Sequence, residues 1–137
     1  MRNFSLLILS SVVGIILTSA GCHPKEAAVD PKALEKSFET AKPEVKETVT
    51  VAVQALQTAG TAQDAATRQA QYVAALKPMS QLITQGKLSK EQSQAVLKQF
   101  QEVNKAVQKD PQLARSKEVY KAQNDMVQAL IKAGMRP

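Results

Sequence analysis

Cysteine, histidine and aromatic residues are all scarce in this chain. Its one cysteine, Cys22, and its one histidine, His23, are neighbours near the start. A lone thiol closes no internal disulfide. With no second histidine to serve as a base, the Ser/His/Asp and Cys/His sets of nucleophilic catalysis are not expected. A structural zinc site draws four protein ligands, mostly thiolates and imidazoles, so the Cys22–His23 pair is too small for one. There are five glycines, none in the spacing of a phosphate-cradling loop. Tryptophan is absent, and the aromatics beyond residue 22 are Phe38, Tyr72, Phe100 and Tyr120. Because much of the hydrophobic content is alanine, which stabilises far less on burial than leucine or phenylalanine, the core should be thin and self-association would help it.

Charge is missing from residues 4–22, which follow the short basic start Met1-Arg2-Asn3. An apolar run of this length behind a positive charge has the layout of a secretory signal peptide. A spanning helix needs about 20 predominantly apolar residues, and this stretch includes several Ser, Thr and Gly. The run ends Ser19-Ala20-Gly21-Cys22, with small residues before the cysteine. It resembles the lipobox of bacterial lipoprotein precursors, with Ser19 standing where leucine is usual. The resemblance implies a diacylated Cys22 thiol, cleavage just before it, and attachment of the mature chain to a membrane. It also implies that His23, in place of the aspartate that favours inner-membrane retention, permits outer-membrane placement where the organism has such a membrane. Two other readings of these residues stand beside it: ordinary cleavage after Thr18-Ser19-Ala20, which leaves Cys22 free on a periplasmic or secreted protein, and an uncleaved anchor.

On the lipoprotein reading, residues 1–21 are the signal, residues 22–29 the lipidated cysteine and tether, and residues 30–137 a single helical domain. The tether reaches at most about 3.3–3.6 Å per residue, so the domain would lie within roughly 30 Å of the bilayer. Removing the signal takes away only one basic residue and leaves a formal charge of +5, spread without a dense run. Such a surface suits an anionic envelope polymer or lipid as partner. It equally suits a solvated helical face rich in Lys and Gln.

Helical spacing dominates the domain. Asp30-Pro31 has the form of a helix start, and Ala33, Leu34, Phe38 and Ala41 would form the apolar side of a helix running to about Ala41. Lys42-Pro43 predicts a break, because the residue before proline is pushed out of the α region. Val45, Val49, Ala52, Leu56 and Ala59 then step by four, three, four and three, with Gly60 as the expected cap. Thr48-Val49-Thr50-Val51 alternates like a strand, but the surrounding spacing favours helix. Thr61 to Asp64 has the form of a capping box for a third helix, whose side is Ala66, Gln69, Val73, Leu76, Ser80 and Ile83 and which Pro78 should kink. Gly86 ends it, and Ser89-Lys90-Glu91-Gln92 caps a fourth helix with Val96, Phe100, Val103 and Val107 inward. Asp110-Pro111 opens a fifth, with Leu113, Tyr120, Val127, Leu130 and Ile131 on its apolar side and Gly134 as its stop. The expected fold is all-α: a small antiparallel bundle of four to five helices, made of two hairpins plus an N-terminal helix.

Nothing in this pattern gathers catalytic groups. The acidic pairs Glu35/Glu39 and Glu44/Glu47 are interleaved with lysines, as on a solvated face. Export, scattered lysines and unclustered aromatics argue against nucleic-acid binding. Many glutamines, among them Gln54, Gln57, Gln69, Gln71, Gln92, Gln94, Gln99 and Gln101, would either solvate helices or line a polar face for a partner. The expectation is a non-enzymatic, membrane-anchored envelope lipoprotein that binds or scaffolds an envelope protein or polymer, without cofactor or metal. The alternative is a soluble periplasmic or secreted helical chaperone or carrier, with a groove opened by Pro78.

Overall fold

The computed structural model describes residues 29–137. Cys22 and His23, the signal peptide and most of the tether lie outside the described residues. Six α-helices follow one another among those residues: α1 Lys32–Ser37, α2 Pro43–Thr61, α3 Ala65–Gln85, α4 Lys90–Lys109, α5 Pro111–Ala114 and α6 Lys117–Lys132. The all-α bundle expected from the spacing is therefore the fold.

Most helix boundaries have a local chemical cause. The Asp30 carboxylate accepts the Lys32 amide at 3.0 Å and starts α1. After only six residues α1 gives way to tight turns in which the Phe38 and Glu39 amides bond three residues back, so it ends at Ser37 and not near Ala41. Ala33, expected inside, is exposed, whereas Leu34 and Phe38 are buried. Lys42 is extended and Pro43 takes the first position of α2. Thr48 and Thr50 return their hydroxyls to the carbonyls four residues back, at 3.0 and 2.9 Å, and the strand-like stretch is helical.

Gly60 does not cap α2; the helix runs one residue further and ends on Ala62. The cap of α3 is Asp64, whose carboxylate accepts the Thr67 amide at 2.7 Å, and not Thr61. Asp is the acceptor nearest the first apolar turn, so it replaces the longer-range box read from sequence. Ser89 and Gln92 do form the full reciprocal capping box of α4. At Gly86 a side chain would place Cβ 2.9 Å from the Leu82 carbonyl oxygen and 3.3 Å from a Leu88 methyl, so close approach decides that position. Gly134 closes α6 differently, with φ 72° and the paired bonds Gly134 N–H to Ile131 O and Met135 N–H to Leu130 O.

One expected helix is two. Asp110-Pro111 opens only the single turn α5, and the chain restarts at Ser116, whose hydroxyl accepts the Val119 amide at 3.2 Å. This break shifts the phase of everything after it. Leu113 stays buried, but Tyr120 and Ile131 are 71% and 55% exposed, while Val119, Ala122, Met126, Ala129 and Leu130 turn inward.

The helices arrange around α3. It packs most closely against α2 on one side and α6 on the other. Small residues permit that approach: Ala52, Ala55 and Ala59 on α2, Ala75 on α3, Ala122 and Ala129 on α6 are all buried. α2 and α3 form the expected antiparallel hairpin. α6, however, runs parallel to α3, since Gln69 bonds Glu118 and residues 76–80 face residues 121–125. α4 and α1 complete the core, with α1 contacting both α4 and α2. α4 buries the larger Phe100, Val96, Val103 and Val107, as its spacing predicted. α3 runs through Pro78 without interruption, and the ring is itself buried.

Gln99 is the exception in this core. It is 2% exposed, and its Nε2 has no hydrogen-bond partner. An unpaired buried donor costs roughly 1–3 kcal/mol. Gln99→Met, similar in length and free of the donor, should therefore raise stability by about 1 kcal/mol in urea denaturation. A loss of stability would mean that the amide is satisfied in solution.

Candidate functional site

The densest polar cluster lies at one end of the bundle and is centred on Arg68, in the first turns of α3. Its Nε and Nη2 donate to Asp110 Oδ2 at 3.2 and 2.8 Å. Its Nη1 donates to the carbonyls of Ala62 and Gln63 at 3.2 and 2.9 Å. Asp110 uses its other oxygen to accept the amides of Gln112 and Leu113. Arg68 thus fastens the α2–α3 turn to the α4–α5 junction, 42 residues along the chain.

Burial works to raise the Asp110 pKa, but the Arg68 guanidinium and the two amides outweigh it and hold the carboxyl below its ordinary 3.8. Asp64 is also held low, by the Thr67 amide and hydroxyl. Glu118 is held low by its own backbone amide and the Ser116 hydroxyl.

An open cleft of about 330 Å³ adjoins this cluster, between Val29, Asp30, Gly60, Tyr72, Lys105 and Lys109. All three guanidinium nitrogens of Arg68 are already engaged within the protein. The remaining charges of the cleft, Asp30, Glu102, Lys105 and Lys109, balance one another. The cleft is best understood as the joint where the chain enters the domain, since Val29 and Asp30 form part of its wall.

A larger cleft of about 710 Å³ lies where the α1–α2 turn meets the α3–α4 connection, with Val45, Leu82 and Leu88 below Lys42, Glu44 and Lys87. Glu35 and Glu39 line a third depression together with Lys32, Lys36 and Lys46. These two glutamates, and Glu44 and Glu47, are exposed, as on a solvated face. None of these depressions, nor a fourth between α3 and α6, is lined by Pro78, so the groove expected there is not where the clefts lie.

Among the described residues no three His, Cys, Asp or Glu side chains come close enough to share a metal ion. No described helix is long and apolar enough to cross a membrane. Of the glutamines, Gln54, Gln57, Gln94 and Gln101 are exposed, Gln69, Gln71 and Gln92 half-buried, and only Gln99 fully enclosed. Its place was readable, because it sits three residues after Val96 and four before Val103 on the same helical seam. Nothing in the sequence pairs Arg68 with Asp110.

By fold and site the chain is a small all-α bundle tied at one end by an arginine–aspartate joint. No family model, curated protein or solved structure matches it.

Proposed function

We propose that this protein is a non-enzymatic lipoprotein of the cell envelope, held at a membrane through an acylated Cys22 and serving as a helical binding or scaffolding module. The observation that carries the reading is the uncharged leader ending Ser19-Ala20-Gly21-Cys22 at the only cysteine of the chain. Acylation gives that orphan thiol a purpose. The entry of the chain at the Arg68 end supports it: Val29 belongs to that end, so the short linker from Cys22 would hold this end nearest the bilayer. The scattered positive surface suits an anionic envelope component, with outer-membrane placement where the organism has one.

Intact-mass analysis of the mature protein beside a Cys22→Ser variant tests the anchor. A mature mass starting at residue 22 plus a diacylglyceryl group, absent from the variant, is the expected result. An unmodified mature chain, or one retaining residues 1–21, overturns the reading.

A further inference from the structure

We propose that two copies of this chain associate side by side, pointing the same way, through the uncharged face shared by α4 and α6, with α6 against α6. The position of that face follows from one hydrogen bond, Gln123 Nε2 to Asn104 Oδ1 at 2.7 Å, which marks where α4 and α6 meet. On α4, Gln101 and Gln108 lie three residues before and four after Asn104, so they share its side. On α6, Tyr120 and Val127 bear the same relation to Gln123. None of these residues carries a charge.

The exposed row on α6 has a second regularity. Tyr120, Asn124, Val127 and Ile131 step by four, three and four, the spacing of a two-stranded seam, and lie apart from the buried row of Val119, Ala122 and Met126. Tyr120 is 71% and Ile131 55% exposed, so the seam has no partner within the domain. Asn124 occupies the kind of position where asparagine opposite asparagine favours two parallel strands in register.

A second copy fits this face better than a charged partner does. Charge is excluded from it although the chain as a whole is basic, with a formal charge of +6. Two copies therefore repel one another least along this face. Amide side chains each hold a donor and an acceptor, so a row of them complements its own image across a two-fold axis. Depletion of charge with an exposed tyrosine is also the composition of interface centres. The parallel direction gains a further argument from the anchored reading, on which this clause rests: both tethers would leave from the same end. Along α6 the seam is only about 16 Å long at 1.5 Å per residue. Together with the α4 row it falls below the roughly 800 Å² per partner of a standard interface, so the association should be weak, at micromolar concentrations or above.

Light scattering on protein purified from cells expressing the whole chain, from about 1 to about 500 µM, spans that range. Wild type should approach twice the monomer mass at the top of it. Tyr120→Glu with Ile131→Glu should remain monomeric with unchanged helicity, because both positions are exposed. A photo-crosslinking residue at 124 should capture the partner's own residue 124. A monomer throughout, equal association by the charged variant, capture of residue 127 in place of 124, or capture of phospholipid vesicles by this face without dimerisation would each overturn the proposal. The mass of the same samples reports acylation of Cys22 separately, so failure of one reading does not imply failure of the other.

Discussion

Phe38→Ala should lower stability by about 3–5 kcal/mol, the usual cost of emptying a buried phenylalanine site. A domain of this size has only about 5–15 kcal/mol in total. The ring is 1% exposed and belongs to the segment that follows α1, which has six residues and no side-chain bond at its assigned cap. A helix that short has little stability of its own. It stays in place because Leu34 and Phe38 are inserted where α1 meets α2 and α4. Urea denaturation should show the midpoint falling, and amide exchange should show residues 30–41 opening before the long helices. Phe38→Leu, which keeps most of the volume, should cost less than about 1.5 kcal/mol. A loss below about 1 kcal/mol for the alanine variant would mean that α1 is dispensable to the core.

The second large effect is expected at Arg68. Arg68→Met keeps the aliphatic stem but removes the bonds to Asp110, Ala62 and Gln63. Bonds to charged groups contribute about 1.5–3 kcal/mol. The side chains of Arg68 and Asp110 are 29% and 12% exposed, so solvent screens part of the attraction. A loss of about 2 kcal/mol is the reasonable expectation, or roughly 5–10 °C in Tm for a domain of this size. Asp110→Asn should cost about half as much, because asparagine still caps α5 and only the ion pair is lost. The pH dependence has a definite sign. Asp110 is held below its ordinary 3.8 in the folded protein, so its contribution is complete above that value and is lost as pH falls through the lower folded pKa. The gap between wild type and Arg68→Met should therefore be constant from pH 7 to about 5 and narrow below about 4. A gap unchanged at pH 2 would show that Arg68 acts through the carbonyl bonds and packing alone.

How legible each feature was depended on the range of the interaction behind it. The break at Lys42-Pro43, the Ser89–Gln92 box, the inward row of α4 and the stop at Gly134 all arise within a few residues, and all were readable. The errors were of two kinds. Gly60 and Thr61 were local signals overruled by a neighbour, because helix continued past the glycine and Asp64 offered the nearer acceptor. Tyr120 and Ile131 were misplaced by one break: Ser116 restarted the helix, and a period extrapolated from Leu113 lost its phase. Gln99 was recorded among surface glutamines although its seam position pointed inward.

By itself the sequence determined an all-helical domain, most of its inward faces, and an uncharged leader ending at a single cysteine. Those follow from spacing, caps and composition, which act along the chain. Only the tertiary structure decided that α6 lies parallel to α3, that Arg68 closes on Asp110, and that Tyr120, Asn124, Val127 and Ile131 remain outside. Each depends on how closely helices approach and in what phase, which small buried alanines and one restarted helix control.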